Sequence, residues 1–268
     1  MSNSASQFVG DIPSHYDAGL GPNIFEGFAA DLVHRACDRR RLSVIELAAG
    51  TGILSRMLRD KLPPEAMFTC TDLNAPMLDV ARSKFMADEN ISFATADALA
   101  LPFGDGEFDL MVCQFGVMFF PDKLAAFREA RRVLKSEGTY MFNVWGTLED
   151  NPFAHIAHEV SAEFFPDNPP GFYKVPFSYA DIATVMRDLD QAGFATCAHE
   201  RVRLEKKVED FRSFALGLVF GNPLIDEIRS RGTVSPEVIA ERLESRLREA
   251  FAHNQATMPL VAIAFAAS

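Results

Sequence analysis

Two glycines and one carboxylate in the first third of the chain have the spacing of a nucleotide-binding site. Gly50 and Gly52 follow a short apolar run that predicts a buried strand, and a helical pattern begins directly after them. Glycine lets the backbone turn sharply and approach a ligand closely. Asp72 ends the next predicted strand, 20 residues after Gly52, where a carboxylate can accept hydrogen bonds from both ribose hydroxyls. The spacing therefore predicts a site for a ligand that contains a nucleoside.

Two further residues argue against a dinucleotide. Ser55 stands where the dinucleotide motif has its third glycine, and Glu46 lies inside the first strand, just ahead of the turn. A carboxylate there would repel a pyrophosphate but attract an ammonium group. We therefore expect a nucleoside that carries a cationic amino acid, which describes S-adenosylmethionine. A nucleotide-dependent Rossmann oxidoreductase stays open as an alternative, because a glycine pattern alone is a weak signal.

Few side chains are candidates for a catalytic base. Transfer of a methyl group from a sulfonium leaves a neutral group behind, so catalysis needs mainly proximity, alignment and exclusion of water. A base matters only where the acceptor must lose a proton. The weak candidates are His155, Tyr173, His158 and His15. His155 and His158 could share a helix face, but no third ligand stands out, so we predict no metal site.

The elements that would position these residues alternate between strands and helices. Short apolar runs bounded by turn signals predict strands at residues 44–48, 67–71, 91–96, 108–114, 139–145, 194–204 and 260–265. Helical patterns occur at residues 14–40, 53–60, 74–86, 121–134 (ended by Gly138), 182–191 and 209–254. Five strands alternating with helices predict a doubly wound, largely parallel sheet. In such a sheet the ligand binds beyond the carboxyl ends of the strands, where the strand order reverses.

Four motifs in this order resemble those of the class I S-adenosylmethionine-dependent methyltransferases, in the type 11 or ubiquinone- and menaquinone-biosynthesis branch. They are VIELAAGTG at 44–52, TDLNAPML at 71–78, ADALALPF at 96–103 and FDLMVCQFGVMFFPD at 108–122. The resemblance covers about residues 10–147. It implies an α/β fold with a Rossmann-like, doubly wound sheet of seven strands, the last one antiparallel, and helical lid insertions. It also implies S-adenosylmethionine as cofactor and methyltransferase activity (EC 2.1.1.-).

The resemblance assigns several residues to the methionine end of the cofactor. Gly50 and Gly52 would pass under the methionine portion, whose ammonium group would meet the carbonyl of Gly50 or Ala48. Glu46 would support this loop. Gln114 would lie near the methionine carboxylate or the sulfonium.

Other residues are assigned to the nucleoside end in the same way. Asp72 would hold the ribose hydroxyls, and Leu73 and Met77 would sandwich the adenine. Asp97 would accept a hydrogen bond from the adenine amino group, while the Ala98 amide would donate to the ring.

The acceptor should meet segments that follow the carboxyl ends of strands five and six. Residues 148–178 and 209–257 are too apolar for linkers and hold nine of the 24 phenylalanines, with few cationic residues near them. These segments predict a lid over an apolar or aromatic small molecule. The predicted pocket residues are Phe115, Met118, Phe119, Trp145, Phe153, Phe172 and Phe214. The family resemblance implies that Tyr16 closes over the cofactor, and packing in the core is the alternative.

Composition narrows the partners and the location. With 26 Lys and Arg against 37 Asp and Glu, the formal net charge is −11, which disfavours nucleic acid. No apolar stretch approaches the roughly 20 residues of a membrane span, and the first residues lack the pattern of a signal peptide. Four widely spaced cysteines indicate reduced thiols in a cytoplasmic protein. We expect a monomer or a homodimer.

The predicted organisation has six parts. They are N-terminal helices at 1–41, a core that binds S-adenosylmethionine at 42–147, a first lid insertion at 148–180, a helix and strand six at 181–208, a second helical lid at 209–257 and a final strand at 258–268. A small-molecule methyltransferase is the favoured function. The alternatives are a non-catalytic binding module with the methyltransferase fold and the nucleotide-dependent oxidoreductase.

Overall fold

The computed structural model describes residues 6–268, which form one mixed sheet of seven strands. The strands are β1 (Ser43–Glu46), β2 (Met67–Asp72), β3 (Ile91–Thr95), β4 (Phe108–Gln114), β5 (Leu134–Trp145), β6 (Cys197–Lys207) and β7 (Thr257–Ala267). Their order across the sheet is β3-β2-β1-β4-β5-β7-β6. Strands β1 to β5 pair in parallel, whereas β7 lies antiparallel between β5 and β6. The predicted doubly wound sheet with an antiparallel last strand is confirmed.

Helices cover the sheet, and five of them follow β5 in the second half of the chain. They are α1 (Ile12–His15), a π-helix (Tyr16–Phe25), α2 (Glu26–Ala36), α3 (Ile53–Arg59), α4 (Ala75–Arg82), α5 (Lys123–Val133), α6 (Pro152–Phe164), α7 (Ile182–Gln191), α8 (Phe211–Phe220), α9 (Leu224–Arg231) and α10 (Pro236–Phe251). Aspartates begin three of them: Asp122, Asp181 and Asp210 each accept a hydrogen bond from a first-turn N–H. A side-chain acceptor at this position satisfies a backbone donor that has no partner within the helix. No helix in residues 6–268 is both long and apolar enough to cross a membrane.

Several predicted boundaries differ from the structure. Gly138 was expected to end α5, but it lies inside β5, which begins at Leu134 and bulges where it pairs with β4. Strand β6 runs to Lys207, because it pairs with β7 along its whole length. The first predicted helix, at 14–40, corresponds to three elements: the end of α1, the π-helix and α2. In the π-helix Pro22 has no N–H to donate, and wider turns of this kind often occur near functional sites.

The strand order reverses between β1 and β4, which pair in parallel. A crevice therefore opens at their carboxyl ends, near Glu46 and Gln114. The π-helix approaches this crevice and crosses α8 with its backbone in close contact. A Cβ added at Gly217 would lie 2.8 Å from the Cα of Gly19. The glycine pair thus sets how closely the N-terminal part of the chain packs on the second inserted segment.

Candidate active site

The loop between β1 and α3 borders the crevice and turns through left-handed backbone. Ala48, Gly50 and Gly52 have φ of 51°, 56° and 81°. A Cβ at Gly52 would lie 2.9 Å from the Cβ of Ala81 and 3.0 Å from its Cα. Glycine adopts such φ angles at little cost, so Gly52 allows α3 to begin against α4 without a clash.

Glu46 lies beside this loop at the end of β1 and is 1% exposed. Its Oε2 accepts a hydrogen bond from the Oγ of Ser55 at 2.6 Å. The serine in place of a third glycine therefore holds the carboxyl group. Burial raises the pKa of Glu46 to about 8, because a carboxylate loses its hydration inside the protein. A cationic ligand group nearby would favour the ionised form.

Asp72 ends β2 and faces the same loop. Its Oδ2 accepts a hydrogen bond from the N–H of Gly50 at 2.9 Å, and its Oδ1 accepts one from the N–H of Asn74 at 2.8 Å. Burial raises the pKa of Asp72, and the hydrogen bonds from Asn74 and Gly50 oppose that rise. The Nδ2 of Asn74 lies 3.3 Å from the same Oδ1. Since a carboxylate has about four acceptor positions, Asp72 can still accept a hydrogen bond from a ligand hydroxyl.

These residues border a main cleft with a cavity volume of about 120 Å³. Nine of the eleven residues predicted at the cofactor line it: Tyr16, Ala48, Gly50, Asp72, Leu73, Met77, Asp97, Ala98 and Gln114. Glu46 lines a smaller loop cavity of about 20 Å³. Four residues line both: Tyr16, Ala48, Gly50 and Gln114. Gly52 lines neither and instead packs against α4.

The side chains along the cleft differ in exposure and in partners. Leu73 is 56% exposed although apolar, whereas Met77 is buried. The Oδ1 of Asp97 accepts a hydrogen bond from the N–H of Leu99 at 2.9 Å. Gln114 donates from Nε2 to the carbonyl of Phe25 at 2.9 Å, which links β4 to the end of the π-helix.

Thr51 is a site residue that the sequence did not predict. It lines the loop cavity and is 1% exposed. Its Oγ1 has no hydrogen-bond partner within the described part of the chain. A buried hydroxyl without a partner raises the free energy of the fold, and a polar ligand group in the loop cavity would relieve this. The only sequence signal was its position between the two glycines of the turn.

A second, aromatic cavity of about 60 Å³ adjoins the main cleft. Fifteen of the described residues line it, and ten of these are aromatic. Five predicted pocket residues are among them: Phe115, Phe119, Trp145, Phe153 and Phe172. The π-helix adds residues that were not predicted there: Leu20, Ile24 and Phe25. They come from a helix far away in sequence, so no local pattern indicated their place.

Two predicted pocket residues do not line the aromatic cavity. Met118 and Phe214 are 2% and 0% exposed and belong to the core. The ring of Phe214 lies 5.9 Å from that of Phe153, centroid to centroid. Phe214 therefore packs behind the cavity wall. Helical periodicity marks an apolar face, but it does not separate residues at a cavity from residues one layer deeper.

Phe115 has an unusual backbone conformation at the meeting point of the cleft and the aromatic cavity. Its φ is 51°, which is rare for a bulky residue. Its N–H donates to the Oδ1 of Asn143 at 3.0 Å. A Cβ at the following Gly116 would lie 2.5 Å from the Cβ of Ala48. Such strain tends to occur at functional sites, and here it brings the β4 loop against the glycine turn.

The base candidates occupy different places. Tyr173 lines the aromatic cavity, and its hydroxyl donates to the carbonyl of Leu218 at 2.8 Å. Burial raises the pKa of both Tyr173 and Tyr16, which keeps their hydroxyls protonated. His155 lies on α6 with its Nε2 3.2 Å from Glu159 and, in residues 6–268, lines none of the three cavities. The described residues contain no cluster of three His, Cys, Asp or Glu side chains suited to a metal ion.

Comparisons with known proteins decide the family. The family described as "methyltransferase domain" matches residues 44–138. The ubiquinone/menaquinone biosynthesis C-methyltransferase UbiE of Xanthomonas campestris pv. campestris is 30% identical over 172 residues, which cover 59% of this chain and 68% of that protein. This chain belongs to the class I S-adenosylmethionine-dependent methyltransferases. The family resemblance predicted from the four motifs is confirmed.

Other curated relatives match this chain over shorter stretches. UbiE of Hahella chejuensis is 34% identical over 125 residues, covering 46% of this chain and 50% of that protein. The demethylmenaquinone methyltransferase of Thermus thermophilus is 40% identical over 118 residues, covering 41% of this chain and 53% of that protein. The chain thus spans between 50% and 68% of the length of these three curated relatives.

Solved structures share the fold of this chain. The YcgJ protein of Bacillus subtilis aligns with a TM-score of 0.57 and 19% identity, covering 89% of this chain and 96% of that chain. Phosphoethanolamine N-methyltransferase 2 of Haemonchus contortus aligns with a TM-score of 0.61 and 17% identity, covering 95% of this chain and 56% of that chain. At these identities the likeness concerns the fold alone.

The residues of the cleft fit S-adenosylmethionine by their chemistry. Asp72 can accept a hydrogen bond from a ribose hydroxyl, and the exposed side chain of Leu73 offers an apolar surface for a base. At the other end, Glu46 and the unpartnered hydroxyl of Thr51 line the loop cavity. A carboxyl group and a free hydroxyl suit the charged and polar groups of an amino acid.

Proposed function

We propose that this chain is an enzyme that transfers a methyl group from S-adenosylmethionine to a small apolar or aromatic molecule. One observation carries the proposal: the main cleft and the aromatic cavity share four lining residues, Phe8, Tyr16, Phe115 and Phe119. A cofactor in the cleft and an acceptor in the aromatic cavity would therefore meet at this boundary. Direct in-line transfer requires this kind of adjacency.

The charges around the cavities limit the acceptor further. Among residues 6–268, the charged residues that line the three cavities are Glu46, Asp72 and Asp97, and none is Lys, Arg or His. Carboxylates favour a cationic cofactor and disfavour an anionic acceptor. We therefore infer an acceptor without a phosphate or carboxylate group. A nucleic-acid substrate is disfavoured for the same reason.

The roles of the residues follow from this arrangement. When bound, S-adenosylmethionine supplies an electrophilic methyl group on its sulfonium. The chain's own part is to hold the cofactor through Asp72, to align the acceptor between aromatic rings and to exclude water. Tyr16 and Tyr173 stay protonated and can donate hydrogen bonds but not accept a proton. The cavity linings within residues 6–268 contain no Lys or His, so the proton that a neutral acceptor releases on methylation would pass to solvent.

The names of the relatives suggest which acceptors to test first. Two relatives are ubiquinone/menaquinone biosynthesis C-methyltransferases by name, and an electron-rich quinol ring is neutral and apolar. Such a ring matches the lining of the aromatic cavity.

The cytoplasmic location and the monomeric or homodimeric state stay predictions.

Calorimetry and mass spectrometry test this proposed function. We expect S-adenosylhomocysteine to bind the purified chain and raise its melting temperature, whereas NAD should do neither. With S-adenosylmethionine present, neutral quinols should gain one methyl group, and matched ring carboxylates should not. Stabilisation by NAD alone would favour the oxidoreductase. Cofactor binding without turnover of any neutral acceptor would favour a non-catalytic binding module.

A further inference from the structure

Asn74 occupies the N-cap of α4, but its side chain does not cap that helix. Asparagine is favoured at this position because its side chain can accept a hydrogen bond from the first turn, and within the described chain no such bond forms here. Instead, the Oδ1 of Asn74 accepts a hydrogen bond from the N–H of Phe8 at 3.2 Å. Its Nδ2 donates to the carbonyl of Ser6 at 3.0 Å. The side chain therefore holds a segment that lies 66 residues earlier.

The same asparagine also contacts the carboxylate of the cleft. Its backbone N–H and its Nδ2 lie 2.8 Å and 3.3 Å from the Oδ1 of Asp72. Hydrogen bonds to a carboxylate strengthen when it is ionised. Asn74 is thus bonded at once to the residue proposed to hold the ribose and to the N-terminal segment.

The segment held by Asn74 carries a ring at the boundary of the two cavities. The ring of Phe8 makes edge-to-face contacts with Tyr16 and Phe119, with centroids 5.9 Å and 5.8 Å apart. Phe8 lines both the main cleft and the aromatic cavity. Because the backbone N–H of Phe8 is the group bonded to Asn74, the asparagine helps to fix the backbone that carries this ring.

We propose that Asn74 is a positioning residue that couples cofactor binding to closure of the aromatic cavity. Through Ser6 and Phe8 it keeps the Phe8 ring over the cavity, and it does so most firmly when Asp72 is ionised and bonded to the cofactor. This inference rests on the proposed function for the identity of the two ligands. Each hydrogen bond of the link is individually weak in net terms, so the segment can release when ligands exchange.

The single tryptophan of the chain provides a direct readout. Trp145 lines the aromatic cavity, so quenching of its fluorescence by acrylamide measures how open the cavity is. Asn74→Ser retains a good helix N-cap, but its side chain is too short to reach both Ser6 and Phe8. We expect this variant to raise the quenching constant about twofold, because the segment opens locally, and to weaken binding of S-adenosylhomocysteine about fivefold.

Two further variants sharpen the test. Phe8→Ala should raise quenching as Asn74→Ser does, while affecting S-adenosylhomocysteine affinity less; it also supplies the readout if Asn74→Ser does not fold. Asn90 is a matched control, because its Nδ2 donates to the carbonyl of Pro64 on the exposed surface. Asn90→Ser should leave both quenching and affinity unchanged.

The effect of S-adenosylhomocysteine on the quenching of Trp145 tests the coupling separately from the proposed function. In the native protein, S-adenosylhomocysteine should reduce quenching of Trp145, and in Asn74→Ser this reduction should be lost. An equal reduction in both proteins would overturn the coupling while leaving the proposed function intact. If the native protein fails to bind S-adenosylhomocysteine in calorimetry, the proposed function falls, and the coupling falls with it.

Discussion

The ring of Phe115 lies parallel to the indole of Trp145, with centroids 4.0 Å apart and planes 9° apart. Phe115 follows β4 and Trp145 ends β5, so the stack joins the ends of two neighbouring strands. Phe28 lies edge-on to both rings. Such aromatic pairs contribute about 1 kcal/mol beyond their buried area. They help to offset the strained backbone of Phe115 and form a rigid wall of the aromatic cavity.

Asp72→Ala tests the ribose assignment. The substitution removes the acceptor for ribose hydroxyls and for the N–H of Gly50, so we expect S-adenosylmethionine affinity to fall at least about tenfold. Isothermal titration calorimetry measures this directly. Asp97→Ala serves as the comparison and should have a milder effect, since Asp97 lies on the exposed side of the cleft. Native affinity in Asp72→Ala would refute the assignment.

Glu46 should make the stability of the chain depend on pH. Its pKa of about 8 lies above the ordinary 4.5, so the folded chain keeps a proton that the unfolded chain releases. The contribution is complete below about pH 4.5 and is lost as the pH rises through about 8, a change on the order of 5 kcal/mol.

Urea unfolding across this pH range checks the contribution of Glu46. Glu46→Gln cannot titrate, so its free energy of unfolding should lack this decline. Because other buried groups are the same in both proteins, the difference between the two profiles isolates Glu46. Parallel profiles would contradict the raised pKa.

Thr51→Val separates folding from binding. Valine replaces the unpartnered hydroxyl with a methyl group of similar shape, so the ligand-free protein should be equally stable or slightly more so. If the hydroxyl bonds to the cofactor, S-adenosylhomocysteine affinity should fall about fivefold. Thermal denaturation and calorimetry give the two values. Thr51→Ser keeps the hydroxyl and should bind S-adenosylhomocysteine as the native protein does. If Thr51→Val and Thr51→Ser bind it equally well, the Thr51 hydroxyl does not bond to the cofactor.

Gly217→Ala tests the close contact between α8 and the π-helix. The added Cβ would lie 2.8 Å from backbone atoms of Gly19, so we expect a loss of about 1–3 kcal/mol in stability. Since Tyr16 begins the π-helix, cofactor affinity should fall as well. Gly171→Ala is the matched control, because a Cβ there meets nothing within 4 Å; its effect should stay within about 0.5 kcal/mol. Equal melting temperatures for both variants would disprove the contact's importance.

Local signals predicted most of the sheet and the cofactor loop. The glycine turn after β1 and the carboxylate at the end of β2 each depend on a few consecutive residues, and the structure brings them to one cleft. The boundary at Gly138 was wrong because strand pairing with β4, rather than the local preference of glycine, decides where β5 begins. Pairing partners far away in sequence override local propensity in such places.

The acceptor side was predictable only in part. Phe153 and Phe172 were expected at a pocket and do line the aromatic cavity, but Phe214 has the same residue type and packs in the core. Phe25 lines the cavity although it lies 120 residues before Trp145 in the sequence. Residue type alone does not distinguish these positions, because the hydrophobic effect favours burial without direction.

The sequence by itself determined the doubly wound sheet, its glycine turn and the acids that follow it, because strand–turn–helix signals are local and recur at the same edge of a parallel sheet. Only the tertiary structure decided which of the 24 phenylalanines face a cavity, and that Asn74 holds Phe8 instead of capping its own helix. These outcomes depend on packing between segments far apart in the chain. Such packing selects one partner among many that local chemistry would accept equally well.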